Sequence, residues 1–497
     1  MEKSPLERTR RNKPVEPGKL RQLFLAIMVN VATLSYGISV GWQSPMMPQL
    51  QSEDPPVDEE PMTNETASWL TGILCLAAAL TTVAVGKITE RYGRKATGCL
   101  AAIPSSLAWL LMIFATKHWH LLVARFFSGM GGAITLFVVP RYVSEICCDA
   151  TRGMLASLLS LILNGGILFS YTFGAMLSFR VFAIVAFAVP VLYFVIFLFV
   201  PESPVYLVRH HRLPEAARSL RWLKAGHEST VQREMLRLQV EAKQENASGR
   251  SVRPSDLIRD KATIKGLLIA LGLFGGQQLC GIFAMISYTE TIFGISGSSL
   301  SPNASAIIVG AIQVFGSFLS TSLMERLGRR PLLLISCAGM CVCHYALGLY
   351  CYMESLRYDV AGFNWIPILA LSVYVIVYNL GLGPGPYVVS SEILNRDVSA
   401  PIVTLGLVTV WSTAFFVVKF FPNMVVWLNM YGCFFLLGTV CVFIFLFVFT
   451  LIPETKGLPL QMIVDRLNGK VSRTCDDTRY VSSSDVVEKH MPAPEQV

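Results

Sequence analysis

Charged side chains are scarce in this chain: Asp, Glu, Lys and Arg make up 15% of its 497 residues, whereas 53% are hydrophobic. A soluble domain of this length has too little polar surface to cover so many apolar atoms, so the composition points to a chain held in lipid. Paired metal-binding cysteines are lacking too. The 12 cysteines stand mostly alone in apolar runs, as at Cys75, Cys280, Cys337 and Cys441. Cys341, Cys343 and His344 lie in too apolar a setting for a metal, so neither metal nor cofactor is expected. There is no GxxxxGK[ST] loop, which argues against ATP drive. Histidines lie mostly in loops (His118, His120, His210, His211, His227, His490), and no enzyme is expected. The first twenty residues are polar and basic and the first apolar run is long, so no cleavable signal peptide is expected. The net charge of +8 would suit nucleic acid, but the basic residues flank apolar runs. That placement fits a membrane protein with positive cytoplasmic loops, and no nucleic-acid partner is expected.

What the chain has in abundance is apolar runs of roughly twenty residues, the length a helix needs to cross a bilayer. Twelve are expected, near 22–42, 67–86, 97–116, 120–143, 154–177, 180–200, 264–293, 304–324, 331–352, 364–389, 400–423 and 429–452. The N-terminal tail carries Lys3, Arg8, Arg10, Arg11, Lys13, Lys19 and Arg21, and the loop after the second run carries Lys87, Arg91, Arg94 and Lys95. The loop between the first two runs, "QSEDPPVDEEPMTNET", holds acids and no Lys or Arg. The charge bias therefore predicts a cytoplasmic N-terminus and an outer acidic loop. Twelve crossings return the C-terminus to the cytoplasm. Asn64-Glu65-Thr66 on the outer loop is the expected glycosylation site; Asn246 falls on the inner side and Asn303 too near a helix start.

The halves repeat. "ERYGRK" (Glu90–Lys95) returns as "ERLGRR" (Glu325–Arg330), "VSEI" (Val143–Ile146) as "SSEI" (Ser390–Ile393), and "PES" (Pro201–Ser203) as "PET" (Pro453–Thr455). Order and spacing relative to the spans are kept, which argues for a duplicated six-helix unit. The expected organisation is a cytoplasmic tail (1–21), an N-terminal half (22–208), a cytoplasmic helical linker (209–262), a C-terminal half (263–464) and a cytoplasmic tail (465–497). Within the linker, "PEAARSLRWLKA" and "TVQREMLRLQVEAKQ" read as helices, the first with Leu220, Trp222 and Leu223 as its apolar face.

These motifs, with "GKITERYGRK", "ARFFSGMGGA", "PRYVSEI" followed by Arg152-Gly153, "PESPVYLV", "GGQQLCGIFA", "GPGPY" with Glu392, and "PETKGLPL", span about residues 20–465. The chain resembles the sugar porters of the major facilitator superfamily, close to the facilitative glucose transporters and the insect trehalose transporters. The resemblance implies an all-α fold of twelve transmembrane helices in two six-helix halves around a central cavity. It implies facilitated diffusion of a sugar of the hexose or trehalose class; the alternatives are a carrier of another polyol or a non-transporting sugar sensor on the same fold. The first helix, "LSYGISVGWQSPMMPQL", carries no acid of the kind common in proton-coupled relatives. The cell membrane is the expected location.

The interfacial charges Glu90, Arg91, Arg94, Glu145, Arg152 and Glu202, and in the second half Glu325, Arg329, Glu392 and Glu454, read as latches of the inner gate that must break as it opens. The counterpart of Arg152 is Ser399, which predicts a weaker second latch. By the resemblance Gln277 and Gln278 are sugar ligands, since an amide offers donor and acceptor together. Gln313, Asn379, Tyr387 and Trp411 fall at further cavity positions. Phe283 and Ser160 stand where relatives place amides, and Asn164, one turn on, is the expected substitute for the latter. On one continuous helix Phe283 would lie nearer in angle to Gln277's face than to Gln278's and narrow the cavity.

Overall fold

Among the described residues, eleven helical stretches are long and apolar enough to cross a bilayer. The structure, a computed structural model, describes residues 18–148, 152–248, 261–295, 300–394, 396–456, 458 and 460–467. The N-terminal spans are α1 (Lys19–Leu50), α2 (Asn64–Tyr92), α3 (Arg94–Ile113), α4 (His118–Ile146), α5 (Arg152–Met176) and α6 (Phe179–Phe199). Three short helices follow, α7 (Pro204–Arg209), α8 (Leu213–Leu223) and α9 (Glu228–Ser248). The second set is α10 (Lys261–Ser287), α11 (Pro302–Leu327), α12 (Arg329–Ser355), α13 (Ile366–Ile393) and α14 (Arg396–Leu451), with α15 (Leu460–Leu467) at the end.

The apolar part of α14 is 51 residues long, about 75 Å if straight, more than twice a bilayer core. It doubles back instead. Asn429 leaves the helical region at φ 57°, ψ 173°. Gly406 and Thr409 lie against Phe274 and Gly275 of α10, while Ile444 and Phe447 lie against Gly276 and Gly272 of the same helix. Two antiparallel arms thus flank one stretch of α10, and the chain crosses twelve times, as its sequence predicts.

Helix contacts sort the spans into two sets. In the first, α2 and α3 pack on α4, α3 on α6, and α1 on α5; in the second, α10 and α12 pack on α14, and α11 and α12 on α13. The sets meet along α2–α14 and α5–α11. Several of the polar bonds that join them lie at the end where Asn64 lies. Tyr288 and Thr71 share a hydroxyl bond of 2.9 Å, the Tyr171 hydroxyl donates to the Ile286 carbonyl at 2.7 Å, the Glu290 N–H donates to Ser44 Oγ at 3.1 Å, and Lys419 Nζ donates to Ser68 Oγ at 2.7 Å.

Local sequence explains several departures from expectation. Thr63 caps α2 by accepting the Thr66 N–H at 3.2 Å, so the helix starts at Asn64 rather than 67. Asn64 is therefore on the first turn, exposed, accepting from Gln51 at 2.9 Å. In α8 the buried face is Ala216, Ser219, Leu220 and Leu223, the i, i+3, i+4, i+7 stripe. Trp222 is off that stripe and 40% exposed, with the Arg21 guanidinium 5.9 Å from its ring, so it does not belong to the apolar face the sequence suggested. Helix α15 runs through the expected 464/465 boundary and docks on α10, Lys265 Nζ donating to the Leu467 carbonyl at 2.6 Å.

Candidate functional site

Two constellations carry the chemistry, one formed by polar side chains of α10, α11 and α13 with Asn164 of α5, and one at the end where Arg94 lies. The first begins with Gln277 and Gln278, both buried on α10. The Gln277 amide nitrogen donates to the carbonyls of Gly383 at 2.6 Å and Leu382 at 3.2 Å. Those carbonyls are available because α13 breaks between Leu380 and Gly385, where the run Gly381-Leu382-Gly383-Pro384 does not continue the helix. The carbonyl oxygens of Gln277 and Gln278 are both buried without a partner. An unmet buried acceptor costs about 1–3 kcal/mol, so the pair is poised for a hydrogen-bond donor from outside the protein.

Gln313, Asn164 and Asn379 come together as a second polar group. Gln313 Nε2 donates to Asn164 Oδ1 at 2.9 Å; Asn164 Nδ2 donates to Ser317 Oγ at 2.5 Å and to Asn379 Oδ1 at 3.3 Å. Asn379 Nδ2 turns back to the Val375 carbonyl at 2.7 Å. Ser317, one helical turn after Gln313, was missed by sequence reasoning, although the i, i+4 spacing was a usable signal. Trp411 is buried and meets Tyr36 edge-on at a centroid distance of 6.2 Å. Tyr36, whose hydroxyl is also buried and unpartnered, had no sequence signal. Tyr387 is 42% exposed and packs edge-on against Phe274 at 5.1 Å rather than being enclosed with the amides. Ser160 is half-buried on α5.

Phe283 is buried, but the continuous-helix argument for its direction fails. The helix stops at Leu279, Gly281 takes φ +88°, and a new turn runs Ile282–Ser287. A left-handed residue redirects the axis, so the 100° step cannot be carried from Gln277 to Phe283. Glycine suits Gly281, because this φ disfavours side chains.

The second constellation is built twice. Arg94, wholly buried, donates through Nε and Nη2 to Glu145 at 2.8–3.1 Å. Glu202 accepts the backbone N–H groups of Arg94, Lys95 and Ser203 at 3.0, 3.1 and 2.8 Å. Ser203 Oγ closes the ring to Glu145 at 2.5 Å. In the other set Arg329 donates to Glu392 at 2.8–3.0 Å, Glu454 accepts the N–H groups of Arg329 and Arg330 at 3.1 and 3.2 Å, and Thr455 Oγ1 meets Glu392 at 2.5 Å. Gly93 and Gly328 introduce both turns at φ +92° and +96°, and a Cβ at either would strike the carboxylate of Glu202 or Glu454. Burial pushes the Glu202 carboxyl above its ordinary range, against its backbone N–H partners. Burial also works upward at Glu454, but the N–H groups of Lys456, Arg329, Arg330 and Thr455 outweigh it and hold that carboxyl below the ordinary range.

Glu90 joins the first latch through Arg94 at 3.5 Å and, more closely, through Arg141 at 2.5 Å. Arg141, within "PRYVSEI" and also 3.5 Å from Glu145, was missed by sequence reasoning. Arg91 is exposed and lies over its neighbour Tyr92 at 5.4 Å. The side chains of Arg152 and Glu325 lie outside the described residues. Each of these ion pairs stays within its own helix set. Parting of the sets at this end therefore does not itself require them to break, contrary to the expectation from sequence.

Arg125 is wholly buried and has no carboxylate among its described partners. Arg125 donates to the carbonyls of Ser39 at 2.6 Å and Leu70 at 3.3 Å and to Gln43 Oε1 at 3.0 Å, with Trp42 beneath it at 5.5 Å.

Comparison with known proteins agrees with this architecture. The chain is 33% identical over 456 residues to the facilitated trehalose transporter Tret1 of Apis mellifera ligustica, covering 91% of this chain and 89% of that protein. It is 32% identical over 446 residues to the protein of the same name from Bombyx mori, covering 90% and 86%. Among solved structures, the major facilitator proton:xylose symporter XylE bound to 6-bromo-6-deoxy-D-glucose matches with TM-score 0.73 and 18% identity, covering 90% of this chain and 99% of that one. The inward open conformation of XylE from E. coli matches with TM-score 0.73 and 19% identity, covering 89% and 99%. At that identity the likeness speaks for the fold alone, which is the major facilitator fold of a multi-pass membrane protein. The family described as sugar (and other) transporter matches residues 25–466, and the chain belongs to that family.

Proposed function

We propose that this chain carries a neutral sugar of the hexose or trehalose class across the cell membrane by facilitated diffusion, its two halves rocking about a site at their joint. The observation that carries this reading is the pair of buried amide oxygens on Gln277 and Gln278, both without a partner. Neutral acceptors suit hydroxyl donors and let them go again. Gln313, Asn379 and Trp411 complete the binding site, and Tyr387 borders it from the part of α13 that follows the break. Ser160, Asn164 and Phe283 shape its walls. The latches Arg94–Glu145 and Arg329–Glu392, with Glu90, Arg91, Glu202 and Glu454, keep the helix ends of each half together as the halves rock; Arg152 and Glu325 belong with them by their place in the repeat.

Uniport, rather than coupling to an ion, is favoured by the partners of Arg125. A proton-coupled pair needs a titrating acid, and Gln43 offers a neutral amide instead. The loop that leads into Asn64 is acidic and both termini are on the basic side, so the termini are cytoplasmic and Asn64 carries a glycan. Asn303 is a poor second site because its amide, oriented to donate, turns onto the buried Glu290 carboxylate at 2.5 Å. A glycosidase-sensitive gel shift that survives Asn64→Gln would overturn Asn64 as the glycan site, and a glycan mapped to Asn246 would overturn the orientation. Uptake of radiolabelled glucose and trehalose into proteoliposomes, with the gradient of that sugar as the sole driving force, tests the function. Uptake that stops when the gradients are equal is expected; uptake only under an imposed proton gradient would contradict it.

A further inference from the structure

Asn164 makes a set of bonds that the sugar site itself would be expected to use. It belongs to α5, in the N-terminal half, yet all three of its side-chain partners are in the C-terminal half. Its Oδ1 accepts from Gln313, and its Nδ2 donates to Ser317 and Asn379. All four side chains are buried. The contrast with α10 is plain: Gln277 and Gln278 keep open acceptors, whereas Asn164 engages the amide N–H of Gln313 and the amide oxygen of Asn379.

We infer that Asn164 is an internal stand-in for substrate: in the empty carrier it occupies Gln313 and Asn379, and a sugar must displace it to bind. This rests on the proposed sugar site and deepens it by naming what the ligand must offer there. Asn164 uses two N–H donors and one acceptor oxygen. A pair of neighbouring hydroxyls supplies the same three functions, so exchange of Asn164 for a vicinal diol leaves the donor and acceptor count unchanged. A ligand with one hydroxyl missing leaves a buried partner unmet and loses on the order of tenfold in affinity. Asn164 is thus a specificity-setting residue, and it acts by competition rather than by contact with the bound sugar. It also clasps the halves together when no sugar is present.

Competitor and ligand differ in sign. Removing a ligand weakens binding; removing a competitor strengthens it, because the binding-competent state is populated more fully. The test uses the full-length protein in nanodiscs, as wild type, Asn164→Val and Gln313→Ala, each checked for monodispersity by size exclusion. Affinities for D-glucose, trehalose and 2-deoxy-D-glucose are read from tryptophan fluorescence. Asn164→Val is expected to tighten glucose or trehalose binding by roughly three- to tenfold, while Gln313→Ala weakens it. Asn164→Ser serves in place of Asn164→Val should the latter not fold. A second arm needs no sugar: alkylation of Ser160→Cys, one turn before Asn164, is followed by mass spectrometry. Loss of the clasp is expected to speed it several-fold. Weaker or unchanged sugar binding in Asn164→Val overturns the inference while leaving the carrier reading intact. Failure of the wild type and both variants to bind any of the three sugars overturns the carrier reading. The alkylation rate then decides on the clasp, and an unchanged rate refutes it.

Discussion

Arg94 and Arg329 grip equivalent carboxylates with equivalent geometry, yet one latch is sealed and the other is wet. The Arg94 and Glu145 side chains are 0% and 10% exposed, against 18% and 26% for Arg329 and Glu392. The shared part is what the repeat dictates: a positive-φ glycine, a carboxylate capping the backbone of the next helix, and a Ser or Thr hydroxyl beneath. The unshared part is Arg141, which bridges Glu90 and Glu145, where the second half has Val388. Duplication preserved the backbone device, and the surrounding side chains then made the N-terminal latch the stiffer of the two. The N-terminal latch is therefore the more buried of the two, and the C-terminal latch the more open to water.

The largest test of that asymmetry is Arg94→Ala against Arg329→Ala. Stranding a buried carboxylate costs about 3–5 kcal/mol. Arg94→Ala should approach that figure, and Arg329→Ala should fall to about 1–2 kcal/mol because water reaches Glu392. Thermal unfolding in detergent followed by size exclusion checks this, and equal losses would break the comparison. Next comes the exchange of character at position 141. Arg141→Val gives the first half the second half's pattern, and a change of about 0.5–1 kcal/mol in the balance of states corresponds to a two- to fivefold change in turnover with little change in KM. Initial-rate uptake measures it, and an effect confined to KM would place Arg141 in the binding site instead.

The smallest effect is in pH. The Glu454 carboxyl is held below its ordinary range, so its stabilising contribution is complete above that range and is lost as pH falls through the depressed pKa. The Glu202 carboxyl is raised, so what it contributes is complete below the ordinary range and is lost as pH rises through the raised pKa. Glu454→Gln should flatten the acid limb of Tm against pH. Glu202→Gln should instead remove a decline toward neutral pH, and shifts of the same sign in both variants would contradict this.

Much of this was legible in the sequence. The twelve spans follow from run length, and the latches from three short motifs recurring in order, because charge and glycine are rare enough in a membrane chain to stand out. Residues that act through packing left no such mark. Arg141 gains its role only from the placement of Glu90 beside it in the fold. Ser317 and Tyr36 are ordinary residues made important by what crosses from the other half. The direction of Phe283 was misjudged because Gly281 breaks the helix between it and Gln277, and periodicity cannot be carried across a left-handed residue. Asn164 was read as a replacement for an amide at 160; that it points its bonds at the opposite half depends on helix pairing, which sequence alone does not fix.

The central claim is that the open amide oxygens on α10 receive the sugar. Gln278→Ala removes one of them without touching the α13 carbonyls that Gln277 holds. Equilibrium exchange of radiolabelled sugar across proteoliposomes, compared between wild type and Gln278→Ala at matched protein density, is the direct measurement. The account predicts that exchange of glucose or trehalose falls at least tenfold in the variant, the loss of one buried hydrogen bond to a ligand or more, while thermal stability holds or rises slightly. Undiminished exchange in Gln278→Ala would contradict it.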